Sequence, residues 1–470
     1  MACAKGPILP LYIFEPALWN EPDMSYRHYM FLEACLSELD QALAQLGQKL
    51  IIQVGHAVDV LEAIRIAHHV DALWSHQETW NGWTYARDKA VRRWCKAQNI
   101  PWYEPVQTGV VRCLNNRDGW AAHWYNQMQQ PLIPCPQELK AIAITSSILP
   151  TPAALGLHQD NATNLQKGGR SEGLALLHSF LHERGEGYTK EMSSPLTAST
   201  SCSRISTHLA FGTLSMREVF QACERCKHEV TQMSSALKGK WPSALRSFSG
   251  RLRWHCHFIQ KLEDDPFIEF QNMHPAYNGL RESNFNEDYF EAWKTGKTGY
   301  PMVDACMRSL IATGWLNFRM RAMLMSFASY HLWLHWRRPA LYLANLFTDY
   351  EPGIHYSQVQ MQAGTTGINT IRIYNPIKQG IDQDPNGIFI RQWIPELRDM
   401  DKAFIHTPWH MPVKMNGYPM PIIEENSARK AAADTIYAIR KNAISYAETT
   451  QKILIKHGSC RKSNPQKKKK

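Results

Sequence analysis

Arg319 and Arg321 stand two residues apart in an otherwise apolar stretch, TGYPMVDACMRSLIATGWLNFRMRAM (Thr298–Met323), and the acids Asp349 and Glu351 follow one long helix later. An arginine drawn into a helical core needs a carboxylate, and Arg321 with Asp349 is the natural pair. Because the two arginines flank Met320, they point to different sides of a helix, which leaves Arg319 free to serve another surface. Arg308, in the same stretch, reads as part of a solvated helix face. Trp315, Trp333 and Trp336 add polarizable rings, although core packing would explain any one of them.

Three further stretches concentrate unusual residue types. TSCSRISTHLAFGTLS (Thr200–Ser215) places small hydroxyls and Arg204 ahead of an apolar helix, an arrangement that suits either a bound phosphate or simple N-capping. In RLRWHCHFIQKLE (Arg251–Glu263), a helix would put Arg251, Trp254, His255 and Phe258 on one face. Such a face stacks on a base and grips a phosphate, or else it buries a core tryptophan. Gln360 to Leu397 is rich in glycines, amides and prolines and reads as a long ordered loop, the kind that carries function.

The elements that must position these residues change character along the chain. GPILPLYIFEP, KLIIQVG, DALWSHQ and IPWYEP read as strands, separated by amphipathic helical patterns. Residues 1–132 are therefore expected to form an α/β domain of βαβ units on a parallel, Rossmann-like sheet. No GxGxxG or P-loop occurs in it. Residues 133–187, rich in Pro, Gly, Ser and Asn, read as a linker with room for one short helix. Residues 188–455 read as an all-α domain, and 456–470 as a basic tail.

Composition narrows the class. Across 470 residues, 44% are hydrophobic and 20% charged, as in a globular protein large enough for two or three cores. No apolar run is long enough to span a membrane and no signal-peptide pattern opens the chain, so no membrane association and a cytoplasmic location are expected. The net charge is +10, but seven basic residues and no acids lie in the last fifteen positions, leaving +3 for the body. Among eleven cysteines only Cys223 and Cys226 form a CxxC, inside a helical pattern and without a second pair. Free thiols and no metal are expected there.

Taken together, the Thr298–Met323 stretch, HLWLHWRRP, DYEP, RIYNPIKQG, FIRQWIPEL, SCSRISTHLAFGTLS, GPILPLYIFEPALW and NGWTYARDKAVRRW resemble the photolyase/cryptochrome family of light-driven flavoproteins over nearly the whole chain. The resemblance implies an α/β domain able to hold an antenna chromophore, pterin, folate or flavin, and a helical domain binding FAD. It implies repair of UV-made pyrimidine dimers in DNA, by electron transfer from excited reduced flavin to a flipped-out lesion; base flipping by photolyases is itself a general example. A cryptochrome-like blue-light photoreceptor is the alternative, and a (6-4) photolyase, with His355 or His208 supplying a proton, a further one.

Position by position, the resemblance assigns Tyr188, Cys202, Ser203, Arg204, Ile205 and Ser206 to the FAD phosphates. Arg321, Asp349, Tyr350 and Glu351 fall beside the flavin ring. Trp254 and Arg319 are assigned to the lesion, with His355 near the flavin as a third catalytic candidate. Arg251, His255, Phe318 and Gln379 join Trp254 and Arg319 at the DNA face. Trp336, with Trp333, is assigned to electron transfer.

Departures from the family pattern touch the substrate. Arg251 and Phe318 stand where lesion-binding enzymes carry Glu and Asn, and Val359 and Met361 where two tryptophans are usual, so photoreduction is expected to run through Trp333, Trp315 or a tyrosine. The family's first strand, about 25 to 30 residues, is expected to precede GPILPLYIF. Glu78 and NGWTYARD suit either an antenna pocket or a plain helix start. A monomer is expected.

Overall fold

The structure is a computed structural model that describes residues 1–411, 416–442 and 446–458. Four short strands lie in the first quarter of the chain: β1 (Leu11–Phe14), β2 (Ile51–Val54), β3 (Leu73–Trp74) and β4 (Trp102–Tyr103). All pairing is parallel, with Leu11 opposite Ile51 and Leu73 opposite Trp102. The parallel α/β arrangement is as expected, with the hydrogen bonding divided into two pairs, β1–β2 and β3–β4. A shared apolar cluster holds them together, in which Ile13 and Leu73 pack against Val91, Trp94 and Ile100. On β2, Ile52 accepts from the Ser147 backbone N–H at 2.8 Å, so residues from the expected linker complete that edge.

The expected linker also carries regular structure: a helix at Arg170–Ser179 runs into a π-helical turn at Phe180–Arg184. Phe180 and Leu181 are buried there, which is why a segment with so many turn residues in front of it still ends in helix.

Beyond it the chain is helical. Trp241–Asp264 is the long central helix, packed against Met216–Gln232 and Pro352–Ala363. A Cβ on Gly353 would lie 2.5 Å from the Ile259 Cα, so the second of these contacts requires glycine. The largest core gathers Val303, Met307, Leu310, Met320, Met323, Leu324 and Trp336. The Phe318–Ser326 helix does not continue to Trp336 as the periodicity suggests. It passes through a π-helical turn, Phe327–His331, and breaks at Trp333, whose φ is +53°.

Two other expectations are corrected. Gln360–Leu397 is not one loop, since the Pro352–Ala363 helix covers its start and helices form at Pro376–Gln383 and Ile388–Trp393. The Asn375 side chain accepts from the Lys378 N–H, and Pro376 opens the first turn, where proline favours rather than breaks a helix. Arg308 is not a solvated residue; it forms a two-pronged ion pair with Glu396 (2.8 and 3.0 Å) and donates to the Gly296 carbonyl.

The strand-bearing and helical parts are locked by buried polar groups. Arg27 donates to the carbonyls of Leu310, Leu346 and Ile311 and pairs with Asp160. Tyr350 donates to Asp23 at 2.6 Å.

Candidate functional site

Arg321 and Asp349 meet as the sequence requires. Both guanidinium nitrogens donate to the two carboxylate oxygens at 2.9 Å, and Nε donates to the Leu316 carbonyl. The guanidinium also lies 4.0 Å from the centre of the Phe347 ring. Burial pushes the Asp349 carboxyl up, but the Arg321 charge and hydrogen bonds, the Ser206 hydroxyl and the Arg204 charge together hold it below the usual carboxylate range. The start of the Phe318–Ser326 helix is fixed by Asn317, whose Nδ2 donates to Met192 and Ser193.

The Cys202–Ser206 loop reaches this pair through the Ser206 hydroxyl and the Arg204 charge, both acting on Asp349. Arg204 adopts a left-handed backbone (φ +62°) and stacks on Trp315 at 4.0 Å. Burial draws its guanidinium down to about 10, against the pull of Asp349. The loop is held by Arg184, which donates to Thr200 O (2.7 Å), Cys202 O, Ser203 O (2.8 Å) and Leu176 O (3.0 Å). Burial raises the Cys202 thiol to about 11 although the charges of Arg204, Arg184, Arg251 and Arg321 all favour the thiolate. Ile205 is buried, and Ser206 begins the short helix Ser206–Ala210. Tyr188 is buried with its hydroxyl against Arg251, and burial raises it to about 12.

The expected face of the central helix forms beside them. Trp254 is 40% exposed and Phe318, from the neighbouring helix, 45%, while Arg251 caps the Phe318 ring at 5.0 Å. Trp254 packs against His257 and Phe258. His255 turns inward, and burial lowers it to about 4, so it is neutral at pH 7. Gln379 lies on the Pro376–Gln383 helix.

Other assigned residues differ in surroundings. Trp336 is fully buried, donates to Asn272 and lies 6.4 Å from the Tyr356 ring. Trp333 packs beneath Arg281 at 4.4 Å, a cation that opposes loss of an electron from the indole. His355 is bonded through Nε2 to Ala340 O at 2.9 Å and is lowered by burial to about 4. His208 lies against Phe31 and bonds Thr213, outside this cluster. In NGWTYARD the helix-start reading holds locally, since Asn81 caps the Gly82–Ala97 helix through the Thr84 N–H.

Glu351 carries a testable pH dependence. Its Oε1 has no hydrogen-bond partner, and burial, with the Glu78 charge adding, raises the carboxyl to about 8. A folded pKa above the unfolded value of about 4.3 gives stability that is full below that value and declines as pH rises through 8. Glu351→Gln is expected to flatten this decline by roughly 2 kcal/mol, the full shift being reduced by partial exposure. Urea titrations of both proteins at pH 5 and pH 8 check it.

Arg204 Nε and His255 Nδ1, on groups that feel the Asp349 charge, are buried without partners, as are Arg319 Nε and Glu351 Oε1. Buried donors and acceptors of this kind call for a polar ligand. The photolyase FAD-binding domain model matches residues 248–438 and the DNA photolyase model residues 1–129. The chain belongs to the photolyase/cryptochrome family. Among its relatives, the deoxyribodipyrimidine photo-lyase of Salmonella typhimurium is 29% identical over 94% of both chains. Cryptochrome DASH of Gloeobacter violaceus is 27% identical over 92% of this chain and 90% of its own. A class III photolyase structure from Agrobacterium tumefaciens superposes with a TM-score of 0.80, at 23% identity and 94% coverage of each, and so shares the fold.

FAD is the cofactor of the helical domain. Arg184, Gln166, which donates to Arg204 O, and Asn317 belong to the same framework. Sequence reasoning passed over all three, because nothing local distinguishes an inward arginine or amide from a surface one.

Proposed function

We propose that this protein is a light-driven, FAD-dependent DNA photolyase that repairs UV-made pyrimidine dimers. The observation that carries the proposal is the bidentate Arg321–Asp349 pair, with Asp349 buried and the unpartnered Arg204 and His255 nitrogens belonging to groups that feel its charge. FAD bound there would supply the electron under light. Arg321 and Arg204 would favour an anionic cofactor, with Asp349 fixing their direction. Tyr188 and the Cys202–Ser206 loop would hold its phosphates, Tyr350 and Glu351 would flank its ring, and Arg319 would face the lesion.

No helix among the described residues is long and apolar enough to cross a membrane. The domain division at residues 132 and 187, the basic tail, a cytoplasmic monomer and a second chromophore near Glu78 are parts of this proposal. Most of the tail lies outside the described residues. Electron supply would run through Tyr356 and Trp336, given their ring contact and the cation beside Trp333.

A cryptochrome-like photoreceptor is the second reading, favoured by one observation: Arg251 and Phe318 pair with each other at the DNA face. A (6-4) activity is disfavoured by the neutral, Ala340-bonded His355. Illumination of the reduced protein with DNA carrying each defined lesion separates these readings, with repair of the cyclobutane dimer expected. Repair of neither lesion would reject the enzyme reading. Trp254→Ala is expected to weaken binding of damaged DNA by about 2 kcal/mol, roughly thirtyfold in Kd, through lost stacking. Its thermal midpoint should barely move, because the ring is 40% exposed.

A further inference from the structure

Cys223 and Cys226 do not act as a pair: Cys223 donates into the core, to Leu245 O, whereas Cys226 faces the π-helical turn and donates to Leu181 O at 3.2 Å. Next to Leu181 on that turn is His182, and one helical turn after Cys226 is Glu229. The imidazole nitrogen, thiol sulfur and carboxylate oxygen of these three all lie within 4.8 Å of one another. His178 stands alongside, its ring 4.7 Å from that of His182. Lys227 does not compete for Glu229, since it pairs with Glu224.

We propose that His182, Cys226 and Glu229 bind a zinc ion, with His178 or water in the fourth position. One nitrogen, one sulfur and one oxygen ligand match a borderline-soft divalent cation, and a mixed set with one open position is a geometry zinc accepts. Ligands about 2.0 to 2.3 Å from a tetrahedral zinc stand roughly 3.3 to 3.8 Å apart, so side-chain rotation of about an ångström closes the site. His182 and Glu229 are exposed and free to make that rotation, while Cys226 is held in place by the core. Binding transfers the Cys226 proton to solvent and gives up the Leu181 hydrogen bond; the sulfur then donates to the metal. His178 and His182 stand at HxxxH spacing and Cys226 closes a CxxC, but the three ligands meet only where two helices distant in sequence pack together, and Cys223 of the CxxC takes no part.

Titration of the chelator-treated, full-length protein with Zn²⁺ by calorimetry tests the proposal. One site is expected, with an affinity reduced more than tenfold by His182→Ala and by Glu229→Gln, both surface changes that spare the core. His228→Ala, on the same helix but outside the cluster, is expected to bind as the parent does. Zn²⁺ should also raise the thermal midpoint of the parent and not of His182→Ala. Absence of a stoichiometric site, or one that both variants leave intact, would overturn the assignment.

Discussion

Asp349→Asn is expected to destabilise the protein by about 3 to 4 kcal/mol and to strip it of flavin. Asparagine keeps the shape of the side chain and still accepts one bond from Arg321, but the charge is gone. Arg321 and Arg204 are then left without their counter-charge at a buried site, and uncompensated burial of a cation is the costly case. The urea midpoint and the flavin absorbance per protein after gel filtration measure the two effects. The acid limb supplies a further check. Because the Asp349 carboxyl is held below its unfolded value, its contribution is present above about pH 4 and is lost as pH falls through the folded pKa. The Asn variant should therefore lose less additional stability on acidification than the parent. Arg321→Lys separates charge from geometry: it keeps the cation but not the two-pronged contact, and should retain stability better than it retains flavin.

That pair was legible in the sequence because a buried arginine obliges a carboxylate, and Asp349 is the first acid after Arg321. Trp254 and Phe258 were legible as neighbours for a similar reason, helical periodicity, whereas His255, expected on the same face, turns inward. Arg308 was misread by the same logic, since an arginine on a half-polar helix looks solvated until a distant Glu396 is folded against it. Pro376 was misread as a loop former, although Asn-Pro, with Asn as the cap and Pro in the first turn, is also a helix start. The division of the strands into two pairs depends on which backbone edges meet, and single-strand patterns carry no information about partners. Arg184 and the His182–Cys226–Glu229 cluster were invisible for the same reason, as each exists only through contacts between segments far apart in the chain.

Arg184→Ala is the second large effect, and it tests whether the Cys202–Ser206 loop is the cofactor cradle. Four backbone carbonyls, of Leu176, Thr200, Cys202 and Ser203, accept from this one guanidinium, and its Nε reaches Ser179 Oγ at 2.9 Å. The same loop holds Arg204 in a left-handed conformation that costs a non-glycine residue about 1 to 2 kcal/mol and persists only while neighbours enforce it. Alanine removes the enforcement and leaves several carbonyls without donors, so a loss of about 3 kcal/mol is expected. The loop should relax, and Arg204 should leave its place over Trp315. Flavin retention should fall in parallel, and lysine should not restore it, because a single ammonium cannot reach carbonyls spread around a planar fork. Flavin affinity by equilibrium dialysis, beside a urea titration, distinguishes the outcomes. A folded Arg184→Ala protein that binds flavin as tightly as the parent would show that the loop holds something other than the cofactor.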